Sequence, residues 1–265
     1  MHTLPIERPP IEGTERANRL LCLALDVGEG MVRSGAEINR VEDTVTRICR
    51  AYDAAHVEIF AISSLIIASV RMRDGEYSSQ MRRIDETTHN LDRLSRLNAV
   101  SRIICKTTPT LDEFDRMIHE AKKAPSYPSW LRTFAAALSA ASFAVMFGGD
   151  LMDGLVAAFA GALIYLIDLI PFRQINRLAK TAIQSFLGGL VACLAVRLGI
   201  GHDQGMIMIG TIMVIVPGVS FGTAFRDLLC GDILAGSLKT VQCILAALMI
   251  AAGYLLAMFA MGGAL

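Results

Sequence analysis

Residues Met206–Lys239 read "MIMIGTIMVIVPGVSFGTAFRDLLCGDILAGSLK". The stretch begins as an apolar run and breaks at Pro217-Gly218. It then passes through Ser220 and Thr223 to Arg226, Asp227 and Asp232. The apolar part before Pro217 is about 12 residues, whereas a helix that spans a bilayer needs about 20. Proline inside a helix removes a backbone hydrogen bond at a cost of about 3 kcal/mol, and in lipid the freed carbonyl must find another partner. Two readings fit. The break is a kink followed by an ordinary charged turn, or it is a broken helix whose backbone, hydroxyls and charges line a solute path, as in many secondary transporters. Arg226 suits a carboxylate, through paired charged hydrogen bonds.

The composition agrees with a membrane setting. Of 265 residues, 53% are hydrophobic and 19% charged, with a mean hydropathy of +0.48, too apolar for an ordinary soluble domain. The charge is concentrated at one end: 18 of the 25 Lys and Arg and 19 of the 25 Asp and Glu precede Trp130. The net charge is zero, so there is no basic excess to bind nucleic acid. Six cysteines lie far apart with no Cys-x-x-Cys pair and the five histidines do not cluster with them. Neither a metal site, a cofactor nor a disulfide framework is expected. The N-terminal "MHTLPIERPPIEGTER" has acids and prolines where a signal peptide needs a basic start and an apolar core, which places the first half in the cytoplasm.

Residues 1–125 read as a cytoplasmic α+β domain. In "SGAEINRVEDTVTRICRAYD", Ile38, Val41, Val45, Ile48 and Tyr52 recur at helical spacing, and Ser34 with Glu37 has the spacing of a capping box that starts the helix near Gly35. The mixed charges on this helix suit a solvated face or a contact with a partner. An earlier helix carries Leu20, Leu21, Ala24, Leu25 and Met31, with Gly28 and Gly30 loosening its end. Strands are expected at "VEIFAI", "SLIIASVRM" and, after the Asp74-Gly75 turn, "YSSQMRRI". Two further helices follow, the second opened by Thr110 and Glu113, and "APSYPSW" is the natural boundary.

Residues 126–265 read as a membrane domain of five helices, about 130–148, 151–171, 180–200, 205–221 and 238–262. Small residues at four-residue spacing, Ala157/Gly161 and Gly188/Ala192, permit close packing in lipid. Arg173, Arg177 and Lys180 follow the second segment, whereas the turn before it carries only Asp150 and Asp153. Basic loops face the cytoplasm, so the C-terminus is expected outside. Asp168 lies in the apolar run "LIYLIDLIPF" and either accepts a coupling proton, pairs with Arg226 or sits at the interface.

"SGAEINRVEDTVTRICRAYD" with "VEIFAISSLIIASV", followed by five segments and "VPGVSFGTAFRDLLCGDILAG", resembles the threonine/serine exporter family over most of the chain. The resemblance implies a bacterial inner-membrane protein whose cytoplasmic domain precedes about ten membrane segments, carried by one chain or split between two. Five segments then imply half of the split form, which includes a two-component succinate exporter. They also imply a second small membrane protein as partner, in an oligomer surrounded by lipid. Carried over by residue, the first motif holds Gly35, Glu37, Arg40, Val41 and Glu42, and the second Pro217, Gly218, Arg226, Asp227, Gly231, Asp232 and Gly236. "AYDAAHVE" departs from the family in placing Asp53 where a glycine is common, at a helix end that Asp also tolerates.

The expected function is therefore a subunit of a secondary-active exporter moving a small carboxylate-bearing solute, threonine/serine or a C4-dicarboxylate such as succinate. Pro217, Gly218, Ser220, Thr223, Arg226, Asp227, Asp232 and Asp168 are the pathway candidates. No G-x-x-x-x-G-K-[ST] loop is present for ATP. The alternative is a membrane-tethered hydrolase or sensor with Ser63, Ser64, His56 or His89 in its site, but no nucleophile turn frames those serines. A third reading makes the domain a regulatory or assembly module of the exporter.

Overall fold

The computed structural model describes residues 12–85, 88–123, 127–169 and 176–262. The chain divides into two compact units, Met1–Pro125 with Val219–Thr240 and Ser126–Gly218 with Val241–Leu265. Arg173 and residues 124–126, the start of "APSYPSW", lie outside the described residues.

The first unit contains helices α1 (Glu12–Arg33) and α2 (Ile38–Ala51), strands β1 (Ala54–Ile62), β2 (Leu65–Met72) and β3 (Tyr77–Arg83), then helices α3 (Leu91–Thr107) and α4 (Leu111–Lys122). The strands form an antiparallel sheet in the order β1-β2-β3. β2 alternates as a half-buried strand should, burying Ile66, Ala68, Val70 and Met72. Those side chains join Leu21 and Leu25 of α1 and Val41, Val45 and Ile48 of α2 in one core. The helical spacing read from the sequence is thus the buried face of α2.

Two local expectations are corrected and a third, at Asp53, is explained. Ser34 and Glu37 form no capping box: Ser34 Oγ donates to Gly30 O at 2.7 Å, and Glu37 is the N-cap of α2 without a side-chain cap bond. The reason is Gly35, whose φ of +90° ends α1. Ala36 N donates to Met31 O and Gly35 N to Val32 O, the paired bonds of a Schellman turn with glycine in the left-handed position. Gly28 and Gly30 do not loosen α1, which runs through both to Arg33. A Cβ on Gly28 would lie 3.0 Å from Val45 and one on Gly30 2.9 Å from Leu97, so these glycines serve close helix packing. Asp53 takes the left-handed conformation, φ +68°, that makes glycine suitable there.

The second unit holds α5 (Ser129–Met146), α6 (Leu151–Asp168), α7 (Arg177–Arg197), α8 (Gln204–Ile215) and the larger part of α10 (Ile233–Ala260). Helices α5, α6, α7 and α10 are long and apolar enough to cross a membrane. The expected fourth segment is not one helix: α8 ends at Ile215 and α9 (Gly218–Leu229) begins after Pro217. Twelve residues give α8 a length of about 18 Å, short of the roughly 30 Å hydrocarbon core, so α8 and α9 amount to a fifth span only when taken together. The fifth segment starts at Ile233, earlier than the expected 238.

Close approach through small residues holds this unit together. A Cβ on Gly161 would lie 2.7 Å from Ala140 Cβ, and one on Gly188 3.1 Å from the Tyr254 hydroxyl. Ala157 and Ala192 are fully buried. Tyr254 and the buried Thr211 share a hydrogen bond of 2.6 Å, and Gln184 Nε2 donates to Ile164 O at 3.1 Å. Leu155, Phe159, Leu248 and Leu256 are exposed, as lipid-facing side chains are.

Candidate functional site

The break that opened the question is a change of helix. Val216 N donates to Ile212 O, closing α8, and Pro217 stands just before the first turn of α9, where a missing N–H costs little. Added Cβ atoms at Gly218 or Gly222 would meet nothing, so these glycines leave open space beside the helix. Ser220 Oγ lies 2.7 Å from His89 Nε2, and Thr223 Oγ1 donates to Ser220 O.

Helix α9 ends as α1 does. Gly231, φ +95°, is the left-handed residue, with Asp232 N donating to Asp227 O and Gly231 N to Leu228 O. The turn sends α10 back against α9 so closely that a Cβ on Gly236 would lie 2.6 Å from Leu228. The motif glycines Gly35 and Gly231 therefore shape the helix ends, and Gly236 the close approach of α10 to α9.

Within the first unit this turn brings the two sequence motifs together, across 189 positions. Arg226 Nη1 donates to Glu37 Oε1 at 2.6 Å. The Asp227 side chain is 1% exposed; its Oδ1 accepts from Ile38 N at 3.4 Å and its Oδ2 from Lys239 Nζ at 2.6 Å. A carboxylate at the first residue of α2 is favoured by the unpaired N–H groups and the positive end of the helix dipole. Glu42 Oε1 accepts from Ala61 N at 2.7 Å, on β1, which is an edge strand of the sheet among the described residues. Val41 lies in the core and Arg40 is exposed. Glu37, Val219, Gly222, Thr223, Phe225, Arg226 and Leu229 line an open cavity of about 360 Å³.

Electrostatics distinguishes the acids. Burial pushes Asp232 above the usual carboxylate range, with repulsion from Asp227 adding to it and Lys239 opposing it. Glu42 is also raised, first by burial; the Ala61 N–H opposes this and Asp232 adds to it. A carboxyl raised on folding stabilises the fold fully below its unfolded value near 4.5, and that contribution is lost as pH rises through the folded value. Gln at position 42 keeps an oxygen for Ala61 N and carries no charge. Glu42→Gln is therefore expected to unfold at a higher temperature than the parent at pH 8 and at the same temperature near pH 4, as thermal melts of the purified protein at both pH values will show.

Asp168 has a local partner within the second unit. Its carboxylate is 59% exposed and pairs with Lys180 Nζ at 2.9 Å. Lys239 was not among the candidates, although a lone lysine in an apolar run is a signal that a buried partner exists. Asp150, Asp153 and His202 also approach one another. Asp153 Oδ1 accepts from His202 N and Asp203 N, and its Oδ2 from Asp150 N, so these carboxylates staple the loops before α6 and α8. Ser63 and Ser64 lie in the β1–β2 turn, His56 pairs with Glu58 and His89 with Ser220; none of these contacts pairs either serine with a histidine.

A family model described as "Putative threonine/serine exporter" matches residues 22–261, and the chain belongs to this family of membrane transport proteins, which are not enzymes. Among curated proteins it is 26% identical to the "Probable succinate transporter subunit YjjP" of Klebsiella aerogenes, over 84% of this chain and 85% of that one. The Escherichia coli protein of the same name is 23% identical, over 84% and 87%. A "Probable threonine/serine exporter" of Mycobacterium tuberculosis is 23% identical over 82% of this chain but only 41% of its own length. No solved structure matches.

Proposed function

We propose that the chain is one half of a two-chain secondary exporter that carries a small carboxylate-bearing solute, a C4-dicarboxylate such as succinate or an amino acid such as threonine, out of the cytoplasm. The observation that carries this reading is the difference in coverage. The chain accounts for 85% of a relative named as a transporter subunit and for 41% of one named as a threonine/serine exporter. A second small membrane protein then supplies the remaining segments. The short α8 favours the same reading, because 12 residues leave backbone ends at membrane depth that need protein or a watery cavity around them.

In this reading the first unit is cytoplasmic, the basic residues Arg177 and Lys180 mark the inner side, and Asp150 and Asp153 the outer. An ion gradient, with protons the first choice, drives export. The site around Glu37, Arg226, Asp227 and Asp232 lies on the solute and ion path near the cytoplasmic mouth. The test is efflux of preloaded radiolabelled succinate and threonine from cells lacking their own exporters, with the chain expressed alone and with its companion. Efflux of one solute in the paired cells only is the expected result. Absence of efflux of both solutes from cells shown to contain both proteins contradicts it.

A further inference from the structure

Resting on the exporter reading, we infer that the cavity beside α9 is the subsite for a carboxylate of the solute. Glu37 is then an internal carboxylate that occupies Arg226 until the solute displaces it. The two neighbouring residues Arg226 and Asp227 are held in opposite ways. Asp227 is buried, and both its oxygens are committed to Ile38 N and Lys239. Arg226 is 64% exposed, and its hydrogen bond to Glu37 uses Nη1 and a single carboxylate oxygen. A guanidinium binds a carboxylate best through two parallel N–H···O bonds, so an incoming carboxylate offers Arg226 a better fit than Glu37 does.

The surroundings suit such an exchange. The cavity of about 360 Å³ lies within the size range of small-ligand sites. Thr223 offers a hydroxyl, Gly222 leaves its wall open, and Val219 and Phe225 give apolar surface for a short carbon chain. Replacing one carboxylate by another leaves the charge around Arg226 unchanged. The exchange has a kinetic consequence. Because the solute must compete with Glu37, its apparent affinity is reduced by the fraction of time Arg226 is free.

The test uses the chain with its companion protein, and succinate and threonine as probes. With the competitor removed, Glu37→Gln is expected to lower the internal concentration for half-maximal efflux by about tenfold. Arg226→Gln is expected to lose efflux at every concentration. The exchanged pair Glu37→Arg with Arg226→Glu is expected to stay inactive although it restores the ion pair. Recovery of efflux in the exchanged pair overturns the inference, since it makes the pair structural. So does a half-maximal concentration for Glu37→Gln equal to or above the parent's. Should Glu37→Gln fail to accumulate, Glu37→Asp must shift the concentration in the same downward direction. No efflux from the unaltered pair sinks the exporter reading and this one together; efflux with an unresponsive Glu37 sinks this one alone.

Discussion

Asp227→Ala is expected to destabilise the first unit by about 3–5 kcal/mol, the cost of leaving one member of a buried ion pair unpaired. Lys239, its side chain 14% exposed, loses the carboxylate at 2.6 Å, and Ile38 N loses its acceptor at the start of α2. For a protein of this size the loss corresponds to a fall of roughly 10 °C in the unfolding midpoint. Asp227→Asn is expected to fall less, because an amide oxygen still accepts from Ile38 N. Adding Lys239→Met to Asp227→Ala removes the stranded ammonium and is expected to recover most of the loss. Melting curves of the purified protein check all three; a midpoint for Asp227→Ala within 2 °C of the parent would show that the pair carries little of the fold.

Gly210→Leu is the second substitution with a large expected effect. A Cβ at this position would lie 2.5 Å from Ala140 O, 2.8 Å from Ala144 Cβ and 3.0 Å from Ala144 N. Two of these atoms are backbone, so no side chain can rotate away, and α8 must separate from α5. Inserting volume into a packed core costs about 1–3 kcal/mol when neighbours adjust, and more when backbone has to move. In lipid the loss is not offset by hydrophobic burial elsewhere, since association there depends on close packing. The variant is expected to be nearly absent from membranes by immunoblot, whereas Gly222→Leu, which meets nothing, is expected to accumulate normally.

Much of this architecture was legible from periodicity. The buried face of α2, the three strands and the long apolar helices follow from spacings of 3.6 and 2 residues and from segment length, all local properties. The break at Pro217 was equally legible, because a proline and a 12-residue run need no tertiary knowledge. What periodicity missed was where each charge finds its partner. Asp168 lay in an apolar run, and nothing in that run says that Lys180, twelve positions on, pairs with it. Glu37 and Arg226 each stood in a motif, but nothing in either motif says that they meet across 189 positions. The Ser34–Glu37 spacing matched a cap, and the stronger signal was Gly35 beside it, since a left-handed glycine that closes α1 removes Ser34 from any role in starting α2.

The central claim is that the two motifs, far apart in the chain, form one site. Thiol cross-linking in native membranes tests it most directly. In a chain whose six cysteines have been replaced, Glu37→Cys with Arg226→Cys is treated with a short bis-maleimide. Arg50→Cys with Arg226→Cys serves as control, placing the first thiol at the far end of α2, about 20 Å along a 14-residue helix. Rapid intramolecular cross-linking of the 37/226 pair and little of the 50/226 pair is the predicted result. Equal yields for both pairs, or none for 37/226, would contradict the account.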